Sequence, residues 1–408
     1  MQEYKEHVGA CKACGNSPVN HRATYLMATA SIWQGNAEIR FNRFPLFSRI
    51  ERALRRVFLS IDAFNYRLFG KMGVIRFSTE VTKAKSYRSQ VIWEEAKRRG
   101  IRMEQMLFLG RYTDMYRALI DGRWVFFESL PVPARLHQGA YGWIDDKVLL
   151  NTMLRKGGIP MPRAFGVRSE AEALEAFKTC DGFVVTKPQS GSRGRHTTTF
   201  IRDEEMLRKG FRSAQMLCRY VCVTEHLRGS VCRGTAIAGR LAGFFQADPP
   251  RVVGDGVSTI SGLIAKKNAT KPDRVEDIIL TGEHEAFLGR QGLSGGSVPA
   301  SGERIDLSHR TGRLFGGETR ELLQSVHPKL KTYLEKAATT LGVPVVGFDL
   351  IIENPEADPD TQKWGIIEAN SLPFIDLHYL PLHGTPSNVA AAVWDLWEKK
   401  DPASAGSN

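Results

Sequence analysis

Nowhere does the sequence run apolar for the roughly 18 residues that a membrane-crossing helix needs, and its N-terminus lacks the charged, apolar, small-residue order of a secretory leader. A cytoplasmic chain is the expectation. Cysteine is scarce: of six in 408 residues, Cys180, Cys218, Cys222 and Cys232 sit in apolar surroundings, where buried free thiols are usual. Cys11 and Cys14 form a single CxxC with His7 and His21 close by. No second CxxC exists, so a zinc site there would need both histidines. Internal repeats, low-complexity segments and RNA- or DNA-binding motifs are also missing, and nucleic acid is not expected as a partner. No Gly-Lys-Ser/Thr opens a helix, which excludes a P-loop. No Ser/His/Asp or Cys/His constellation points to a covalent nucleophile.

What is present is an ordinary globular composition, long enough for two or three domains with real cores. The formal charge of +12 is lopsided. Residues 1–140 carry 23 Lys and Arg against 12 Asp and Glu, whereas residues 141–408 carry 33 against 32. A basic N-terminal third could attract a polyanion or an acidic surface. Within it, residues 46–68 read as an amphipathic helix: Leu46, Ile50, Leu54, Val57, Phe58, Ile61, Phe64 and Leu68 recur at helical spacing, with Arg49, Arg52, Arg55, Arg56 and Arg67 between them. The favoured expectation is a helix packed on the core or on a second subunit, which makes a homo-oligomer compatible with the sequence; the alternative is a helix on a membrane surface.

Residues 1–78 therefore read as a basic, partly helical extension. Residues 79–140 read as a small helix–strand–hairpin unit: a helix over 81–99, then strands near 115–120 and 124–127 joined by Asp121-Gly122, a strong hairpin signal. From 141 the texture changes. Helices are expected over 147–156, 169–178, 257–268, 327–341 and 389–397, and strands at 183–187, 218–226 and 234–245. Residues 249–256 read as a Pro/Gly-rich turn and the tail 401–408 as disordered.

Two strands near the C-terminus carry oxygen donors that a buried strand would otherwise avoid: Gly347-Phe348-Asp349-Leu350-Ile351-Ile352 and Trp364-Gly365-Ile366-Ile367-Glu368-Ala369-Asn370. Glu368 and Asn370, two apart, share a face, and Asp349 on the adjacent strand could complete a hard-oxygen set suited to Mg²⁺, with Mn²⁺ as a substitute. These could also be ordinary polar positions of a half-exposed sheet; a phosphate site elsewhere would decide. Lys187 ends an apolar strand directly before Ser190-Gly191-Ser192-Arg193-Gly194-Arg195, where glycines let backbone N–H groups close on an anion and cations add field. Lysine, loop and carboxylates together make a coherent nucleoside triphosphate site.

The chain resembles the ATP-grasp superfamily, most closely the ATP-grasp module of cyanophycin synthetases and the related bacterial glutathione-synthesising ligases. The resemblance is carried by Asp145-Asp146-Lys147 with Gly158-Ile159-Pro160, by Val185-Thr186-Lys187-Pro188 with Gly191 and Gly194, by Val252-Val253-Gly254-Asp255-Gly256, by Val326-His327-Pro328 and by Glu368-Ala369-Asn370-Ser371. It covers roughly residues 141–397. It implies an α+β ATP-grasp fold, two β-rich lobes clasping ATP (141–222 and 223–400), preceded by the small unit and the basic extension. It also implies roles. Lys147 and Lys187, with Ser190, Gly191, Ser192 and Gly194, would hold the ATP phosphates. Glu225 and the backbone of Leu227 would read adenine, and Arg233 would face the phosphates or an acyl-phosphate. Arg310 would face the carboxylate substrate, and Asp349, Glu368 and Asn370 would ligate Mg²⁺.

The activity so implied is ATP-dependent joining of a small-molecule or peptide carboxylate to an amine, through an acyl-phosphate and with release of ADP and phosphate. The alternatives are a catalytically silent ATP-binding protein that docks through its basic N-terminus, and a small-molecule kinase. Two positions depart from the subgroup. The acid that usually contacts ribose is replaced near Val231, and an Arg-Thr-Ala-Asn-Leu run reads Arg310-Thr311-Gly312-Arg313-Leu314. Arg228, Arg233, Arg251, Arg310 and Arg313 lean toward an acidic substrate.

Overall fold

The computed structural model describes residues 11–14, 19–42, 69–70, 72–136, 141–191 and 194–398. The helix expected over 46–68, Ser192, His7 and the tail from 401 lie outside them. Helix α1 (His21–Asn42) buries Ala28 and Ile32 against Cys218. Gly35 lets it lie close on Trp143, where a Cβ would come within 2.9 Å of the Trp143 backbone. Among the described residues no helix is long and apolar enough to cross a membrane.

The next unit is a four-stranded antiparallel meander that opens with β1 (Ile75–Ser78). Helix α2 (Tyr87–Arg98) starts six residues later than the expected 81, because Ser86 stays extended and caps Ser89 N–H, leaving Val81–Lys83 as a separate 3₁₀ turn. Strands β2 (Met103–Phe108), β3 (Arg111–Ile120) and β4 (Arg123–Glu128) follow. Asp121 and Gly122 turn the β3–β4 hairpin with φ of 49° and 73°, the left-handed pair that a two-residue hairpin needs.

Helix α3 (Lys147–Lys156) is capped by Asp146, whose carboxylate accepts from Val148 and Leu149 N–H, and it ends at Gly157. A four-stranded antiparallel sheet, β5-β8-β6-β7, then forms from β5 (Ala164–Val167), β6 (Val184–Pro188), β7 (Thr198–Ile201) and β8 (Val221–Glu225). Helices α4 (Glu170–Lys178) and α5 (Glu204–Gln215) cover one face of it through Ala173, Leu207 and Phe211.

The second lobe opens with a hairpin, β9 (Ser230–Ile237) and β10 (Arg240–Ala247). The single strand expected over 234–245 is thus broken at Ala238-Gly239, which take φ of 47° and 76°. Arg251–Val253, expected to be part of a turn, forms β11 and pairs with β12 (Arg304–Asp306), with α6 (Ile260–Thr270) and α7 (Gly282–Arg290) between them. With β13 (Thr319–Glu321), α8 (Pro328–Leu341), β14 (Val345–Ile352) and β15 (Gly365–Asn370), the main sheet reads β13-β10-β9-β14-β15. α8 packs Leu330, Leu334 and Ala337 on Phe244 and Phe348. Helix α9 (Val389–Glu398) closes the chain and shares a core with α2 and the small sheet, where Trp394 Nε1 donates to the Ile92 carbonyl at 3.0 Å. The architecture is the expected one: two β-rich α+β lobes following a small helix–sheet unit.

Candidate active site

A cavity of about 640 Å³ opens between the two lobe sheets, well within the range of nucleotide-sized sites. One end is cationic. Lys147 is the first residue of α3, and the cap at Asp146 aims it. Its Nζ donates to the Gly191 carbonyl at 2.8 Å and stands 3.9 Å from Glu368. Gln189 ties the same helix start to the loop, its Nε2 donating to Asp146 at 2.8 Å. On β6, alternation turns Val184 and Thr186 to the core and Lys187 to the cavity wall. No carboxylate lies within ion-pair distance of Lys187 among the described residues, and burial lowers its pKa from the ordinary lysine value. Gly191 and Gly194 line the cavity as expected, and Gly194 takes a left-handed φ of 64°. Ser190 turns away, its Oγ 3.1 Å from Ser31 Oγ on α1.

At the carboxylate end the antiparallel register sets Asp349 beside Glu368 and Gly347 beside Asn370. Asp349 also pairs with Arg233 across β9–β14. The Arg233 guanidinium grips it twice, Nε to Oδ1 and Nη2 to Oδ2, both at 2.7 Å. Arg233, Asp349 and Glu368 therefore form a row across three strands, and Glu368 lines the cavity. Two carboxylates and one amide oxygen are a donor set of the kind that suits Mg²⁺, but of the three only Glu368 lines the cavity, and both Asp349 oxygens accept from Arg233.

A further wall is aromatic, and sequence reading missed it. Phe200 lies 4.3 Å from the His226 ring and 5.5 Å from Phe287, and all three line the cavity with His309. Thr199 Oγ1 and His309 Nδ1 are buried in this wall without a hydrogen-bond partner among the described residues. Glu225 closes β8. Burial pushes its carboxylate up, but the Arg163 N–H at 2.8 Å, the Arg163 guanidinium at 2.9 Å and Lys363 at 3.6 Å hold it below the usual range. That carboxylate is already committed. Leu227 lines the cavity beside it.

Burial lowers both His226 and His309 to about 4, helped by Arg228 and Arg310 respectively, so both rings are neutral at pH 7. Their folded pKa lies below the ordinary value of about 6.5. Between those limits the unfolded chain binds more protons, and stability falls as pH drops from 6.5 to 4. Each ring should contribute a loss on the order of 3 kcal/mol across this window in melting curves, and His226→Gln should remove its share.

Arg310 is placed elsewhere than the cavity. Its Nε pairs with Glu283 of α7 at 2.9 Å and its Nη2 donates to the Cys14 carbonyl at 3.3 Å, which pins the N-terminal CxxC turn. His378 is fully buried between Glu321 at 2.7 Å and Thr235 at 2.8 Å, an internal strut of the second lobe.

Two α+β lobes enclosing a cavity with lysines, a glycine loop and strand-borne carboxylates are an arrangement of the ATP-grasp type. No family model matches the sequence. The chain is similar to the glutathione biosynthesis bifunctional protein of Clostridium perfringens, 28% identical over 263 residues, covering 62% of this chain and 34% of that protein. It is similar also to the cyanophycin synthetases of Synechocystis, 28% identical over 293 residues (69% of this chain, 33% of the other), and of Geminocystis herdmanii, 30% identical over 262 residues (62% and 30%). Among solved structures, the bifunctional glutathione synthetase of Pasteurella multocida matches with a TM-score of 0.48 and 23% identity, covering 76% of this chain and 44% of that one. The resemblance read in the motifs is borne out; the chain spans about a third of the length of these curated relatives.

Proposed function

We propose that the chain is an ATP-dependent carboxylate–amine ligase. The observation that carries this reading is the convergence of Lys147, Lys187 and Glu368 on one interlobe cavity that also has an aromatic wall. In it, the triphosphate lies along Lys147, Lys187 and the Gly191–Gly194 loop, and the base lies between Phe200, His226 and Phe287. With the Glu225 carboxylate committed to Arg163, main-chain groups of Glu225–Leu227 are left to read the base edge. Asp349, Glu368 and Asn370 would hold Mg²⁺, which supplies charge neutralisation at the phosphates. A substrate carboxylate oxygen attacks the γ-phosphorus, ADP leaves, and the acyl-phosphate carbon is then attacked by an amine that expels phosphate. Arg233, bound to Asp349 at two points, would hold that carboxylate in place beside Glu368. No protein nucleophile is needed; positioning and electrostatics do the work.

Three of the five arginines that lean toward an acidic substrate are internally paired: Arg233 with Asp349, Arg251 with Asp306 and Arg310 with Glu283. The acidic-substrate reading thus narrows to Arg228, at the cavity rim, and Arg313.

ADP release should be measured with amino acids and short peptides supplied singly and in pairs. Release that requires both an acid and an amine is the expected result. Release with a single acceptor and no amine would indicate a kinase. ATP binding without turnover on any pair would make this a silent nucleotide-binding protein.

A further inference from the structure

Behind the glycine-rich loop, four ligand-type side chains that the ligase chemistry does not use converge. Cys11 Sγ lies 3.3 Å from His196 Nε2, and Cys14 Sγ lies 3.3 Å from His21 Nε2 and 3.5 Å from His196 Nε2. All four donor atoms fall within 4.8 Å of one another. We propose that Cys11, Cys14, His21 and His196 form a structural zinc site that clamps the N-terminal segment onto the end of the glycine-rich loop.

The geometry argues for a metal over thiol–imidazole hydrogen bonds. Zn–S bonds of about 2.3 Å and Zn–N bonds of about 2.0–2.1 Å at tetrahedral angles put sulfur and nitrogen about 3.6 Å apart, close to the three separations found. His196 Nδ1 is 2.7 Å from the Ser213 carbonyl. A carbonyl only accepts, so Nδ1 carries the proton and Nε2 turns a single lone pair toward two sulfurs. One lone pair cannot satisfy two thiols, but it can bind one ion that both thiolates share. That carbonyl is also the outer partner that orients a metal-ligating histidine. The two sulfurs sit on one tight turn, closed by Cys14 N–H to the Cys11 carbonyl at 3.0 Å.

Two features show that the site is built. His196 holds a left-handed φ of 52°, a conformation that a non-glycine residue keeps only when its surroundings fix it. Its N–H donates to the Ala13 carbonyl at 3.0 Å, so backbone and side chain both bind the CxxC turn. The His21 and His196 rings meet at 84°, 5.0 Å apart, so their nitrogens converge without stacking. Two thiolates and two imidazoles select Zn²⁺ over the hard-oxygen ions of the cavity. The fourth ligand is thus His196 in place of the His7 expected from spacing.

The full chain, purified without chelator, should carry one zinc per molecule by plasma mass spectrometry. Cys14→Ser and His196→Ala should each lose it, while His7→Ala and Cys180→Ser keep it. Retention by His196→Ala with loss from His7→Ala would overturn the assignment. Because the losing variants could misfold, Co²⁺ is titrated into metal-stripped wild type as well. One equivalent giving thiolate-to-metal charge transfer and tetrahedral ligand-field bands supports the site, and a spectrum without charge transfer overturns it. Neither readout depends on ligase activity.

Discussion

Replacing Glu368 with Ala should lower ADP formation by on the order of 10²–10³-fold, the usual cost of removing one electrostatic element from a phosphoryl- or acyl-transfer site, while leaving the melting temperature close to wild type. Its position makes the test clean. Glu368 is 26% exposed, and its nearest ion-pair contact is Lys147 at 3.9 Å. Truncation removes only this long contact, and the buried Lys147 ammonium keeps its bond to the Gly191 carbonyl. Asp349→Ala would be less informative. It leaves the Arg233 guanidinium, gripped at two points and only 16% exposed, without its carboxylate, and breaking such a pair costs about 3–5 kcal/mol in folding. Lost activity there could reflect lost structure. Glu356→Ala, at an exposed position, serves as the control. Wild-type ADP production by Glu368→Ala would show that the metal end of the site lies elsewhere.

The parts of the fold legible from sequence were those whose signals are local. Helix 147–156 announces itself through Asp146 at its cap and Gly157-Gly158 at its end, and the β3–β4 hairpin through Asp121-Gly122. Strands β14 and β15 combine β-branched runs with carboxylates at the right offset, so their pairing and the Asp349–Glu368 register followed. Where the signal was weak, the reading failed. The β9–β10 turn uses Ala238-Gly239, with none of the polar residues that mark hairpins. Helix α5 was passed over although Asp203 caps it and Leu207, Gly210, Phe211 and Ala214 mark its buried stripe at helical spacing; that pattern was readable. What no local pattern could supply is convergence. The aromatic wall draws Phe200, His226, Phe287 and His309 from four separate segments. His196 reaches Cys14 across 182 residues of sequence, which is why the spacing-based choice fell on His7. Arg310 sits in a motif run, but its neighbour Glu283 on α7 decides where it points.

Replacing Lys187 with Met should separate function from stability in opposite directions. Nucleotide binding should weaken by about 2 kcal/mol, roughly 30-fold, as expected when a buried charge contact to an anion is deleted. The fold itself should become more stable. The reason is that Lys187 is a cation in a desolvating wall with no carboxylate in ion-pair range among the described residues, and burial already lowers its pKa. Methionine keeps the length and apolar stem without the charge. The pH dependence identifies the cause. A folded pKa below the ordinary lysine value means that the unfolded chain holds this proton more tightly. The destabilisation is therefore complete at pH values below the folded pKa and fades as pH rises toward 10.5. The stability gain of Lys187→Met, measured by denaturant titration, should accordingly be largest near neutrality and shrink in alkali. A variant that melts lower than wild type at every pH would mean that the lysine supports the sheet, and the phosphate end of the cavity would have to be rebuilt around Lys147 alone.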